Sequence, residues 1–168
     1  MAKKTVDDLR KLYHEELQDI YDAEHQILDA LPKMEKAAHS EDLKQAFREH
    51  REQTEEQVER LDSVFESFGE PAKRKTCKGM RGLIEEGSEY LDAKGDADAI
   101  DAALIAAAQR VEHYEIAVYG SLRTFALALG HEDQAELLQE TLDEEEETDE
   151  RLSELAEAGI NQEAASGE

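Results

Sequence analysis

Apolar residues recur at helical spacing along four long stretches of the chain, and the lengths of the connections between these stretches limit the possible folds. The first and second stretches are separated by a tight turn near residue 39, and the third and fourth by another turn at Gly130. A much longer connection, residues 69–97, joins the two pairs. Because short loops make neighbouring helices antiparallel, this spacing predicts two antiparallel hairpins joined by one long crossover.

That connectivity, with only two prolines and heavy use of helix-forming residues, predicts an all-α, ferritin-like four-helix bundle. The crossover has its own amphipathic segment, CKGMRGLIEEGSEYL, which predicts a short helix lying across the bundle. We expect residues 1–158 to form one domain and residues 159–168 to form a disordered tail. Capping residues and breakers predict these helix limits: Thr5 to about Ala38 with a kink at Pro32, Ser40 to Gly69, the region of Asp96–Asp101 to Gly130, and His131 to about Ala158.

The chain is strongly acidic, with 43 Asp and Glu residues against 19 Lys and Arg residues and a formal net charge of -24. Such a surface repels phosphate, so we expect no nucleic-acid partner. The acidic residues are spread over every segment, which is typical of a protein adapted to high salt. We expect no membrane partner, because no stretch approaches the roughly 20 apolar residues of a membrane span. The single cysteine, Cys77, and the absence of a signal-peptide pattern favour a cytoplasmic protein.

Several polar residues lie on helix faces that should be buried. At 100° per residue, Glu24, Glu115 and Glu145 each fall near the centre of an apolar stripe. On the second helix His50, Thr54 and Gln57 lie within the stripe, and Gln53 lies on its edge. The three glutamates are about 15 residues from the turn of their own hairpin, which places them at similar heights in a bundle of antiparallel helices. We therefore expect them to form one layer.

Burying several carboxylates together costs too much free energy unless protons or cations neutralise them. Carboxylate oxygens with one imidazole suit iron, manganese or zinc, and bundle sites of this kind commonly hold two metals. The alternative is that each glutamate turns toward solvent on an acidic protein. His113 points away from the apolar stripe of its helix, so it is not expected in the core.

The stretch from about Thr5 to Ala156 resembles the YciE/YciF-type ferritin-like family of stress-associated proteins. Five segments carry the resemblance: LYHEELQDIYDAEHQIL, HREQTEEQVERLDSVFE, GLIEEG, DAALIAAAQRVEHYEIAVYGSL and LLQETLDEEEETDERL. It implies a ferritin-like bundle, usually a homodimer, with a di-iron or related metal site. Carried over by position, the implied metal site comprises Glu24, His50, Glu112 or Glu115, and Glu144 or Glu145, with Gln53 beside them.

Two departures from the ferritin-like pattern affect this site. Helices two and four lack the Glu-x-x-His motif, and the resemblance implies a glutamate at the position of Gln53. The main hypothesis is therefore a stress-response protein that binds iron or a similar metal and oxidises Fe(II) with oxygen or peroxide. The alternative is a metal-free structural or interaction protein with a degenerate di-metal site. Iron storage in a cage is disfavoured by the dimeric family pattern and by the expected absence of a short helix after residue 158.

Overall fold

The computed structural model describes residues 5–69 and 71–166. Within these residues the secondary structure is helical, without a strand. The helices are α1 (Leu9–Ala37), α2 (Glu41–Ser67), α3 (Lys78–Ser88), α4 (Ala97–Ala128), α5 (Glu132–Leu155) and α6 (Asn161–Ser166), with a π-helical turn (Ala156–Ile160) between the last two.

The four long helices form the predicted bundle of two hairpins. α1 packs against α2, and α4 packs against α5, while α1–α4 and α2–α5 contacts join the two hairpins. α3 lies in the crossover and packs on α1 and α4. The core between them is built mainly from leucine, isoleucine and alanine side chains, with buried Tyr13, Tyr119 and Phe65. The all-α bundle with a helix-containing crossover is therefore confirmed.

Most helix ends follow from capping chemistry. Ser40 caps α2 by accepting a hydrogen bond from the Leu43 backbone N–H (3.4 Å), and Asp96 caps α4 through the Ala99 N–H (2.9 Å). Gly69 and Gly130, which follow α2 and α4, have φ values of 70° and 78°, where a side chain is disfavoured.

Two predicted limits are wrong. α1 begins after Asp8 rather than at Thr5, because the Asp8 carboxylate accepts a hydrogen bond from the Lys11 N–H at 2.8 Å. The segment from residue 159 to 166, predicted as part of a disordered tail, continues the helix instead, because Ile160 is buried in the core. The expected absence of a helix after residue 158 therefore no longer argues against cage storage. Residues 167–168 of the predicted tail lie outside the described residues.

Pro32 lies inside α1 and does not end it, since the helix continues to Ala37. No helix in the described part of the chain is both long and apolar enough to cross a membrane.

Asp101 links the two hairpins. It lies near the start of α4, and its carboxylate is fully buried. Its two oxygens accept hydrogen bonds from the backbone N–H groups of His39 (2.8 Å) and Ser40 (2.7 Å), in the turn between α1 and α2. One side chain thus satisfies two donors of a turn in the other hairpin and fixes where that turn sits against α4.

We expect Asp101→Ala to lower the free energy of unfolding by roughly 3 kcal/mol, because it removes two charge-assisted hydrogen bonds and leaves the His39 and Ser40 backbone N–H groups without their acceptor. Urea denaturation followed by circular dichroism measures this loss. The matched control is Asp92→Ala, an exposed acidic residue in the crossover, which should change stability by less than about 0.5 kcal/mol. Equal effects of the two substitutions would show that Asp101 does not link the hairpins.

Candidate metal centre

Four potential metal ligands converge in the middle of the bundle. His50 of α2, Glu112 and Glu115 of α4, and Glu145 of α5 each offer one ligand atom, and these four atoms lie within 4.8 Å of one another. We call these residues the four-ligand cluster. All four side chains are buried, with at most 4% of their surface exposed. Glu112 and Glu115 both face inward because residues three apart share a side of an α-helix.

Glu24 of α1 borders the cluster. Its carboxyl group is fully buried and interacts electrostatically with those of Glu115 and Glu145. The Tyr119 hydroxyl, also buried, donates a hydrogen bond to Glu24 Oε1. Glu24, Glu115 and Glu145 therefore meet in the layer that their helix positions predict.

Many polar atoms of this group lack hydrogen-bond partners. Both oxygens of Glu115 are buried without a partner, as is one oxygen each of Glu24, Glu112 and Glu145. His50 Nδ1 has none, and His50 Nε2 lies 3.5 Å from Glu112 Oε1 without forming a well-aligned hydrogen bond. Buried polar atoms are rarely left unsatisfied in folded proteins. A carboxylate-rich donor set with one imidazole fits iron, manganese or zinc, and a bound ion would supply the missing partners.

The electrostatics of the apo site favour protonated carboxyl groups. Burial raises the pKa of Glu24 to about 8, and the negative charge of Glu145 adds to this effect, while the Tyr119 hydrogen bond opposes it. Burial, followed by the charge of Glu145, also raises the pKa values of Glu112 and Glu115 well above their usual range. Each ion that binds must therefore displace protons.

Glu144 is oriented differently from its neighbour Glu145. Both Glu144 oxygens accept hydrogen bonds from the Arg60 guanidinium, at 2.5 and 2.6 Å, and the side chain is about a fifth exposed. Gln57 bridges the two carboxylates, since its amide N–H group donates to Glu145 Oε1 at 2.5 Å and to Glu144 Oε2 at 3.1 Å. Of the two alternatives implied by the resemblance, the structure brings Glu145 into the cluster and pairs Glu144 with an arginine.

The remaining sequence-predicted residues lie around the cluster. Gln53 is half-buried and lines a cavity that His50 and Glu112 also line. Thr54 is buried, but its hydroxyl donates to the backbone carbonyl of His50 at 2.8 Å. His113 is exposed, as its position on the helix predicts, and its Nε2 lies 3.4 Å from Asp149 Oδ2.

Sequence reasoning missed the supporting residues Arg60 and Tyr119. The helix positions predicted that Gln57 lies within the apolar stripe, but not its hydrogen bonds to Glu144 and Glu145. Arg60 follows one turn later, but nothing in its local sequence identifies Glu144 as its partner. The position of Tyr119, four residues after Glu115, predicts a buried aromatic residue and not a hydrogen bond to Glu24.

Known proteins resemble the chain over nearly its whole length. The family model described as "Domain of unknown function (DUF892)" matches residues 8–165. Protein YciF of Escherichia coli (strain K12) is 47% identical over 165 residues, which cover 98% of each chain.

Three solved structures have the same architecture. The crystal structure of the E. coli stress protein YciF matches with a TM-score of 0.89 and 46% identity, over 93% of this chain and 99% of that chain. YcfI of Rhodopseudomonas palustris, whose name proposes a structural role, matches with a TM-score of 0.87 and 40% identity, over 91% and 98%. A protein of Xanthomonas campestris pv. campestris, at 24% identity and a TM-score of 0.73 over 92% and 95%, shares the fold.

We expect the metal-free protein to lose stability as the pH rises from about 4.5 to about 8. A carboxyl group whose pKa is higher in the folded chain binds more protons when folded, so the free energy of unfolding falls between the unfolded and folded pKa values. For Glu24 these values are 4.5 and about 8. Urea unfolding in chelator-treated buffers between pH 5 and 9 measures the slope.

Glu24→Gln should reduce this slope, because it removes one titrating group and lowers the repulsion on the others. Glu146→Gln, which makes the same charge change at an exposed position of α5, should keep the wild-type slope. If Glu24→Gln and wild type showed the same slope, Glu24 would not be titrating in a buried site.

Proposed function

The chain belongs to the DUF892 family, and we propose that it is a stress-response protein that binds iron or a similar divalent metal through the carboxylates of its bundle core. The observation that carries this proposal is the four-ligand cluster with Glu24, a buried set of oxygen and nitrogen atoms that largely lack protein partners. The name of the E. coli relative, a stress protein, supports the physiological setting.

The four buried glutamates set the charge that must be balanced. Glu24, Glu112, Glu115 and Glu145 would carry four negative charges if ionised, and Arg60, the basic group bonded nearby, is already paired with Glu144. Two divalent ions would neutralise these glutamates, as in carboxylate-bridged di-iron bundles. We propose that one ion is held tightly by the four-ligand cluster and a second less tightly, with Glu24 contributing and Gln53 supplying only a neutral amide.

Iron bound in this way would supply redox chemistry toward oxygen or peroxide, and we propose a ferroxidase-type oxidation of Fe(II) as the activity. The protein's own residues hold the carboxylates in position. Tyr119 fixes Glu24, and Gln57 fixes Glu145 while leaving the second oxygen of each carboxylate free. Hydrogen bonds from residues around a metal site orient its ligands and maintain its affinity.

A second function is favoured by specific observations. Raised carboxyl pKa values allow protons to take the place of metal, and the chain lacks both a Glu-x-x-His motif and a glutamate at position 53. The name of the Rhodopseudomonas relative also proposes a structural role. In this alternative the cluster is a metal-free remnant in a structural or interaction protein. Homodimeric assembly, a cytoplasmic location and adaptation to high salt stay predictions.

We expect anaerobic Fe(II) titration of chelator-treated protein to give at least one tightly bound ion per chain, with proton release. Mass spectrometry of protein purified without chelator or a nickel tag measures native metal content. Exposure of the loaded protein to air, followed by absorbance, tests oxidation. Absence of binding for Fe(II), Mn(II) and Zn(II) would contradict metal binding and favour the structural alternative.

Glu115→Gln should weaken Fe(II) binding by more than about 100-fold, because even supporting residues of metal sites contribute 10–100-fold. The control Glu146→Gln makes the same change on the exposed face of α5 and should bind as wild type. Glu115→Gln should remain folded, and more stable than wild type near pH 8, since it removes a buried charge. Weak binding by a well-folded variant therefore cannot be attributed to unfolding.

Gln53→Glu introduces the carboxylate that the resemblance implies at this position. It adds a carboxylate beside the cavity lined by His50 and Glu112, so the second ion should bind more tightly and the number of ions per chain at a fixed Fe(II) concentration should rise. An unchanged number and affinity would mean that residue 53 does not contact bound metal.

A further inference from the structure

An apolar pocket of about 90 Å³ lies where α1, α3 and α4 meet. Most of its wall is aliphatic and is contributed by Ile27, Leu31, Leu83, Ile84, Leu91 and Val111. Small residues on the three helices, including Ala30, Gly87 and Ala107, leave the space open. Outside the inner end of the pocket, two lining residues carry a charged or hydroxyl group, and both are exposed: Lys33 and Ser88.

The inner end of this pocket is formed by His50 and Glu112 of the four-ligand cluster. Both side chains are more than nine-tenths buried. His50 Nδ1 and Glu112 Oε2 have no hydrogen-bond partner. The pocket is therefore an apolar space that ends at two ligand side chains with unsatisfied polar atoms.

A second cavity, of about 180 Å³, reaches the same two side chains and has a different chemical character. Its lining combines the polar residues Gln53, Glu147, Thr148 and Arg151 with apolar Ala46, Phe47 and Leu152 on α2 and α5. The polar and charged groups in this mixed wall suit a hydrated cation, whereas the aliphatic walls of the first pocket do not. His50 and Glu112 are thus shared by one polar and one apolar cavity.

We propose that the apolar pocket binds a small apolar molecule of dioxygen size and delivers it to the His50–Glu112 end of the site, while cations enter through the polar cavity. The delivery role rests on the proposed metal-binding function, whereas the presence of the pocket does not depend on bound metal. Cavities lined by aliphatic side chains take up uncharged guests such as xenon, and this pocket has such walls although it opens to solvent near Lys33 and Ser88. A volume of about 90 Å³ exceeds the roughly 15 Å³, on the same measure, that one water-sized molecule needs.

Xenon is the probe for the pocket, because it is apolar, resembles dioxygen in size and needs no metal. Crystals of the metal-free protein, pressurised with xenon, should show xenon between Ile27, Ile84 and Val111. Ala30→Leu should abolish xenon binding, since a leucine at this partly buried position of α1 fills the pocket and suits a helix. The control Ala106→Leu adds the same side chain on the exposed face of α4, outside the pocket, and should bind xenon as wild type.

The second measurement uses the iron-loaded protein at limiting oxygen. Ala30→Leu should slow oxidation several-fold, with Fe(II) affinity in the anaerobic titration unchanged, while Ala106→Leu should match wild type.

Lack of xenon in wild-type crystals, or a side chain of a neighbouring copy filling the pocket, would overturn the pocket as a ligand site. If Ala30→Leu abolished xenon binding but did not slow Fe(II) oxidation, the pocket would not deliver oxygen to the site. A failure of the proposed metal-binding function would give a different result: wild-type protein would not bind Fe(II), whether or not its crystals bind xenon.

Discussion

The free energy needed to bury four carboxyl groups inside one helical bundle constrains the rest of this structure. Glu24, Glu112, Glu115 and Glu145 are buried, and most of their carboxyl oxygens have no hydrogen-bond partner to compensate for lost hydration. Either protons or cations must neutralise them, and the pKa of about 8 for Glu24 shows that protons suffice near neutral pH at that position. Because a bound divalent ion would displace these protons, the proposed metal affinity would be linked to proton release and to folding stability.

The hydrogen bonds around the site orient the carboxylates without fully satisfying them. Tyr119 and Gln57 each bond one oxygen of Glu24 and Glu145 respectively, and the second oxygen of each is left free. Arg60 does the opposite for Glu144, whose two oxygens it occupies. This contrast separates the roles of two adjacent glutamates, since a carboxylate held by an arginine has little capacity left for a cation. A simple packing role would not require unsatisfied oxygens on four glutamates that face one another.

Helical periodicity was sufficient to predict the bundle, the crossover helix and the layer of Glu24, Glu115 and Glu145, because these depend on angles and heights along single helices. It did not separate Glu144 from Glu145, because that difference depends on Arg60 of another helix. Nor did it predict that Ile160 would anchor the C-terminal segment, since one buried side chain in a small, polar stretch is a weak signal. These two features, which the sequence did not predict, depend on contacts between different helices.

The position of the crossover helix has a physical origin that connects fold to site. Asp22 of α1 accepts hydrogen bonds from the Cys77 backbone N–H (2.8 Å) and from Arg74 (2.9 Å), which fixes the chain just before α3. Gly79 lets α3 approach closely, because a Cβ there would lie 2.7 Å from the ring of Tyr114. α3 is thereby held against α1 and α4, and its aliphatic residues cover the side of the bundle from which His50 and Glu112 can be reached. A shorter connection between the hairpins would leave His50 and Glu112 open to water on this side, so the long crossover gives the cluster its apolar side.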